Sequence, residues 1–343
     1  MNSLRRFIEE SPDIKTIPSN YAYSTNPQDF IASDPDHETI PAIDFSLLTS
    51  KDPVIRSQVL EELHKACTDW GCFQVINHGI PETSLKMLIE KTLEFFNLDE
   101  AEKKDYQETD FFNPIRYGSG YNLNKYKGIS YWRDYLKLFL HPDFHCPNKP
   151  LGLSELFFEY AKRTREVSRE LINGMSTNLG LDNAYVEKAL DLDQCLQICV
   201  VNLYPRCPQP QLAIGLPPHT DHGLFTFLIN NGVPGYEIMH KGKWIKIQST
   251  LPNSLLVQTA DHLEIFSNGK YKSLEHRAIL NNAAAKISVN VAYGPSLNAV
   301  VAPADKLVDK EKCPAAYVAM NYKEYIKMQQ RGQLFHCLDR VRI

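Results

Sequence analysis

The sequence predicts a mainly β protein with flanking helices, its core a sandwich or barrel. Three observations carry that reading. From Cys195 onward the chain breaks into short apolar runs separated by Pro and Gly turns, the texture of an all-β core. Before that point, apolar residues recur at three- and four-residue spacing over long stretches, which is the period of helices covering a core. With 343 residues, 43% hydrophobic and 23% charged, the chain has the length and composition of an ordinary globular protein.

The elements follow in order. A short helix is expected over 2–10, then an extended arm broken by Pro12, Pro18, Pro27 and Pro35. Residues 40–45 read as a strand. Arg56 to Trp70 reads as a helix whose stripe is Val59, Leu60, Leu63 and Ala66. Residues 73–77 form a strand that ends at the turn His78-Gly79, where His78 is a structural turn residue. A helix from Pro81 to Phe96 buries Leu85, Ile89, Leu93 and Phe96, and a charged helical turn follows over 99–106. Residues 107–130 are irregular, and 131–140 resume as a strand. The longest helix is expected over 154–179, with Ser154 as N-cap and Gly180 as stop. Strands are expected at 197–204, 224–229, 236–239, 243–247, 255–258, 271–275 and 286–293. From Tyr317 the chain is amphipathic and begins as a helix. This divides the protein into an N-terminal helical and mixed α/β region over 1–195, a core over 196–300 and a C-terminal helical segment over 301–343.

Composition excludes some roles. A formal net charge of −4 argues against a general nucleic-acid binder or a ligand of anionic membranes, both of which need a basic surface. No apolar run approaches the roughly 20 residues of a bilayer span. The N-terminus, Met1-Asn2-Ser3-Leu4-Arg5-Arg6, has no apolar run behind it, and Glu9, Glu10 and Asp13 arrive early. It reads as neither a secretory signal nor a transit peptide, so a cytoplasmic protein is expected. Eight cysteines without C-x-x-C spacing are expected to be reduced thiols, mostly buried.

One constellation carries chemistry. His219-Thr220-Asp221 is H-x-D, whose alternation turns both side chains the same way. His276 follows Asp221 by 55 residues. Two imidazoles and one carboxylate on one face of a metal leave the opposite positions open, the arrangement of non-haem Fe(II) oxygenases. H-x-D alone also describes two polar residues at a strand end. His222 and His262 compete as ligands, and spacing does not choose among them.

The surrounding blocks do choose. They are Ile40-Pro41-Ala42-Ile43-Asp44, Trp70 to Gly79, Trp132-Arg133-Asp134, Asn202-Leu203-Tyr204-Pro205-Arg206-Cys207-Pro208, Gly215 to Asp221, Ser267 to Ser273 and Lys286-Ile287-Ser288. Over nearly its whole length the chain resembles the plant 2-oxoglutarate- and Fe(II)-dependent dioxygenases, the family of flavanone 3-hydroxylase, flavonol synthase and the downy-mildew-resistance-like oxygenases. The resemblance implies a distorted double-stranded β-helix, or jelly roll. It implies Fe(II) held by His219, Asp221 and His276, with 2-oxoglutarate and O2 as co-substrates and ascorbate as support. It assigns Tyr204, Lys286 and Ser288 to the far carboxylate of 2-oxoglutarate, and Asn202 to the same cavity. By analogy with flavonoid members, Tyr117, Tyr121, Tyr135, Lys137 and Phe225 are expected at the substrate, which would be planar or polycyclic. A monomer is expected.

The chain departs from the family pattern in places. Arg-x-Ser is here Lys286-Ile287-Ser288, which keeps the charge but loses the two-pronged grip of a guanidinium. Alternation sets Asn290 and Ala292 on the same strand face as Lys286 and Ser288, so they too are expected to meet substrate. The Asn290 amide needs a partner there, expected to be water, substrate or co-substrate. Gln258-Thr259-Ala260-Asp261 stands for Asn-x-Gly-Asp, and Gly235-Tyr236-Glu237-Ile238 for Gly-Leu-Gln-Val. Together these suggest a remodelled barrel interior. The leading expectation is oxidation of a small plant metabolite or hormone by hydroxylation, desaturation or demethylation. The alternatives are a non-oxidative metal-dependent condensation or isomerisation, motivated by Lys286, and a binding protein without catalysis, against which the full ligand set argues.

Overall fold

A computed structural model describes residues 3–23, 32, 39–120, 129–247, 250–330 and 337–343. Its core is two facing β-sheets. The strands are β1 (Ala42–Asp44), β2 (Cys72–Ile76), β3 (Ile115–Ser119), β4 (Asp134–His141), β5 (Cys195–Tyr204), β6 (Leu216–His219), β7 (Phe225–Asn230), β8 (Tyr236–His240), β9 (Lys243–Ile247), β10 (Leu255–Thr259), β11 (His276–Ala278) and β12 (Lys286–Ser296). The larger sheet runs β1-β2-β10-β7-β12-β5-β4-β3 and the smaller β6-β11-β8-β9. This is the jelly-roll core with helices outside it. Four strands of the larger sheet precede residue 195, so the sheet crosses the division drawn there in the sequence.

Strand alternation sorts the larger sheet into two faces. Leu136, Leu138, Val201, Phe225, Phe227, Val257, Val289 and Val291 point outward and share one core with Leu63, Phe95, Phe157, Val167 and Leu171 of the helices. The opposite face looks at the smaller sheet and lines the cavity. The main helices are Pro53–Lys65, Glu82–Asn97 and Leu153–Asn178, close to the expected spans. Asp52 caps the first of these through Val54 N at 2.8 Å, with Pro53 at its first position. A five-residue π turn, Ala66–Trp70, extends it to the Trp70 read in the sequence.

Several elements differ from expectation. Strand β3 lies inside 107–130, which reads as irregular because Gly118 and Arg116 interrupt its apolar pattern. The helices Asn183–Leu190 and Asp261–Phe266 are additional; each is at most eight residues, too short for a clear period. The strand expected at 271–275 is β11, shifted to His276–Ala278. The C-terminal helix begins at Tyr322 rather than Tyr317, whose backbone forms a bridge with Arg342.

The N-terminal helix, Leu4–Glu10, is fastened by a buried charge. Asp134 is fully buried and accepts from Leu4 N at 2.9 Å and Arg5 N at 2.8 Å. A carboxylate against the free N–H groups of a helix start is favourable. His78 is structural, as read: buried, its ring meets the Asn253 carbonyl at 2.9 Å and Ile80 N at 3.2 Å. All eight cysteines are free thiols and six are buried. No helix among the described residues is long and apolar enough to cross a membrane.

Candidate metal centre and cavity

The smaller sheet brings two distant histidines together. His219 ends β6, His276 begins β11, and the two are directly opposed in the antiparallel register. Asp221 sits in the turn that carries the chain from β6 to β7. The three offer one ligand atom each, all within 4.8 Å of one another. Asp221 Oδ1 lies 3.8 Å from His219 Nε2 and 3.9 Å from His276 Nε2.

The other atom of each side chain is already engaged. His219 Nδ1 meets the Pro217 carbonyl at 2.8 Å and His276 Nδ1 the Leu274 carbonyl at 3.1 Å. Each therefore carries its proton on Nδ1, leaving the Nε2 lone pair for a metal. Asp221 Oδ2 accepts from Thr226 Oγ1 and from Gln258 Nε2, both at 2.6 Å, which leaves Oδ1 as its ligand atom. Burial, then the neighbouring His276 ring, push His219 down to about 3, so it is neutral. Burial works against the Asp221 charge, but His276, His219 and Thr226 outweigh it and hold the carboxyl below its usual range. Two imidazoles that offer Nε2 and one carboxylate oxygen are the donor set that would hold Fe(II) on one face.

Among the described residues the metal-holding group takes in His219, Asp221 and His276 and neither His222 nor His262. His222 Nδ1 meets Tyr322 Oη at 2.7 Å, and His262 Nδ1 meets the His222 carbonyl at 2.5 Å. Burial drives His222 to about 4 and His262 to about 3, so both rings are neutral.

The cavity beside this cluster has a volume of about 170 Å³, room for about ten waters by the same measure. The larger sheet supplies its floor in registered rows. Tyr135, Asn202 and Ser288 form one row, Lys137, Val200 and Asn290 the next, and Ile198, Ala292 and Thr226 a third. Lys286 and Tyr204 pair one step beyond the first row. Tyr204, Asn202, Lys286, Ser288, Asn290, Ala292, Tyr135 and Lys137 thus all line the metal-bearing cavity.

Lys286 fits an anionic co-substrate. It is 4% exposed, and among the described residues its Nζ makes no hydrogen bond or ion pair; it stands 5.9 Å from the Tyr236 ring centre. Burial lowers it to about 7, with Glu237 opposing. A lone buried cation in a cavity wall favours a carboxylate beside it. Tyr204 stands next to it, its hydroxyl raised to about 12 by burial. That ring is admitted by Gly215, where a Cβ would lie 2.7 Å from two Tyr204 carbons.

Two substrate expectations are corrected. Tyr117 pairs with Leu136 and turns to the helix side, against Phe95 at 5.9 Å; its cavity-facing neighbour on β3 is Arg116. Phe225 also faces outward, stacked on Tyr293 at 5.7 Å, while Thr226 faces in. Both are one residue out of phase with the cavity, and alternation allows no compromise. Tyr121 lies outside the described residues. The Asn290 amide has protein partners, the Val200 carbonyl at 2.9 Å and Ser288 Oγ at 3.0 Å.

The roles of other site residues were not assigned from the sequence, and Thr226 was not singled out there at all. Thr226 and Gln258 hold Asp221. Arg133 reaches Asn202 Oδ1 at 2.5 Å in the cavity wall. The unusual residues are joined in space: Tyr236 Oη donates to Gln258 Oε1, and Gln258 Nε2 also lies 3.2 Å from His276 Nε2. Glu237 pairs with Arg277 at 2.7 Å, both buried, and Arg277 lies 4.1 Å from the Trp244 ring centre. Register was the available signal, since Thr226 alternates with Leu228 and opposes both Gln258 and Ala292.

Comparison with known proteins agrees with this geometry. Residues 193–295 match the 2OG-Fe(II) oxygenase superfamily. Residues 40–156 match the non-haem dioxygenase in morphine synthesis N-terminal family. The chain is 38% identical to 2-oxoglutarate-dependent dioxygenase 19 of Oryza sativa subsp. japonica, over 89% of this chain and 90% of that protein. It is 34% identical to Protein DMR6-LIKE OXYGENASE 2 of Arabidopsis thaliana, over 91% and 89%. The crystal structure of JOX2 in complex with 2OG, Fe and JA superimposes with a TM-score of 0.86 at 29% identity, covering 100% of this chain and 98% of that one. With its ligand cluster, jelly roll and these relatives, the chain belongs to the 2OG-Fe(II) oxygenase superfamily and is a 2-oxoglutarate-dependent dioxygenase.

Proposed function

We propose that this enzyme oxidises a small plant specialised metabolite or hormone with a planar or polycyclic body, by hydroxylation, desaturation or demethylation. It works as a cytoplasmic monomer, without nucleic-acid or membrane partners. The observation that carries the reading is a complete ligand cluster opening onto a mostly apolar cavity with a cation, Lys286, that has no hydrogen-bond or ion-pair partner among the described residues, at one end.

Bound iron, with 2-oxoglutarate and O2, supplies an oxidant able to attack an unactivated C–H bond. The protein does the rest. His219, Asp221 and His276 would hold the metal and leave its remaining positions to the reactants. Thr226 and Gln258 keep Asp221 from closing over a second position. Lys286, Tyr204 and Ser288 hold the distal carboxylate of 2-oxoglutarate, which sets its orientation. Val200, Ile198, Leu228 and Ala292 exclude water and present a flat apolar surface to the substrate. Tyr135 and Lys137 lie on the substrate side. The full ligand set and the dioxygenase relatives favour oxidation over condensation or isomerisation.

The test is a substrate screen with Fe(II), ascorbate and 2-oxoglutarate, read by mass spectrometry for product and succinate. One succinate per oxidised product is expected. Turnover that continues without O2 and 2-oxoglutarate would overturn the proposal.

A further inference from the structure

Two cations in the cavity wall are not used by the metal or the co-substrate. Arg116 and Lys137 oppose each other on β3 and β4 and are 5% and 3% exposed. Arg116 Nε donates to the Glu108 carbonyl at 3.1 Å and its Nη2 to Tyr135 Oη at 3.3 Å. Lys137 Nζ donates to the Phe111 carbonyl and lies 3.8 Å and 4.6 Å from the Phe111 and Phe139 ring centres. All these partners are neutral. Among the described residues neither cation lies within 4.0 Å of a carboxylate. The chain linking β3 to β4 contains no acidic residue.

Burying two like charges side by side without a counter-ion is costly. The cost shows in Lys137, which burial and then Arg116 push down to about 6, while Asp110, which opposes them, is exposed. An anion arriving between them removes that penalty and gains charge-assisted hydrogen bonds. It would not be the co-substrate carboxylate, because Lys286 sits on β12, two strands away, or about 10 Å of sheet. Asn202 and Ser288 lie in the row between Lys286 and Lys137, while Val200, level with Lys137, and Ile198, one row farther from Lys286, are apolar.

We infer that Arg116 and Lys137 form an anion subsite at the β3–β4 edge of the cavity, which takes the carboxylate of an apolar organic acid. The acid's body then lies over Val200 and Ile198, with its far end toward His219 and His276. This rests on the reading of the cavity as the substrate site, and it names the substrate class: a carboxylic acid oxidised at a carbon remote from its carboxylate.

The test uses the full-length protein loaded anaerobically with Fe(II) and 2-oxoglutarate. Calorimetry compares 4-phenylbutanoate and naphthalene-2-propanoate with their methyl esters. Each acid is expected to bind roughly tenfold or more tighter than its ester, the size of one charge-assisted hydrogen bond. Lys137→Met and Arg116→Gln should each reduce that preference severalfold, and Lys137→Arg should retain it. Equal binding of acids and esters, no binding of either acid, or a preference that survives in both neutral variants overturns the subsite. Succinate release by the wild type is measured in parallel. Acid preference without succinate would defeat the oxygenase reading and leave the subsite standing; succinate formation without acid preference would do the reverse.

Discussion

The sharpest consequence of the geometry concerns Gln258, which departs from the family pattern and touches two of the three ligands. Its Nε2 and Thr226 Oγ1 are the donors to Asp221 Oδ2, each at 2.6 Å. Replacing Gln258 with Met, or Thr226 with Val, keeps shape and removes one donor. A hydrogen bond to a charged group contributes about 1.5–3 kcal/mol, and about 1.4 kcal/mol is a factor of ten in affinity. The apo protein bears part of that loss. The metal complex bears more, because Asp221 must hold Oδ1 on the metal while Oδ2 stays fixed. Each variant should therefore bind Fe(II) or Co(II) about tenfold more weakly, within the roughly 10–100-fold typical of residues that orient metal ligands. Calorimetric titration measures this directly. A second reading is thermal: saturating metal stabilises in proportion to the logarithm of its concentration over Kd, so the holo-minus-apo increment should shrink by about 1.4 kcal/mol for each factor of ten. Unchanged metal affinity in both variants, with intact folding, would refute the argument that these donors commit Asp221 to a single ligand atom.

Other outcomes follow from the same site. His219→Ala and His276→Ala should each abolish stoichiometric metal binding, measured by metal analysis of the purified protein, together with succinate formation. Lys286 titrates near 7 and binds a carboxylate only when protonated, so the KM for 2-oxoglutarate should rise as pH goes from about 6 to about 8.5; Lys286→Arg, charged throughout, should flatten that profile and hold or lower KM. Arg277→Met leaves Glu237 buried without its partner at 2.7 Å, a loss of roughly 3–5 kcal/mol that a denaturant midpoint would reveal; a midpoint equal to wild type would mean the pair is not structural. Ala292→Phe fills the cavity between Ile198 and Thr226 and should raise the KM of the organic substrate severalfold, with 2-oxoglutarate affinity little changed.

The metal ligands were legible because two kinds of evidence converged. H-x-D and a later histidine suggest a triad, but His222 and His262 satisfy the same loose spacing. The resemblance named His276, and the structure supplies the physical reason, the direct register of His219 with His276 across β6 and β11. The cavity face of β12 was also legible, since a strand has only two faces and Lys286, Ser288, Asn290 and Ala292 must share one. The analogy with flavonoid members, which carries no strand phase, failed on β3 and β7. Tyr117 and Phe225 are aromatic and near the right place, but a one-residue phase decides between cavity and helix core, and composition does not reveal phase.

By itself, then, the amino-acid sequence determined the family, the jelly-roll class, the His219, Asp221 and His276 cluster and the cavity face of β12. These depend on residue type, local alternation and ordered blocks along the chain. Only the tertiary structure decided what surrounds them: that Gln258 and Thr226 converge on one oxygen of Asp221, that Tyr236 ties into Gln258, and that Arg116 and Lys137 face the cavity with no carboxylate among the described residues within 4.0 Å of either. Such relations join strands from distant parts of the chain, and they are set by cross-sheet register, a property of pairing that no single stretch of sequence carries.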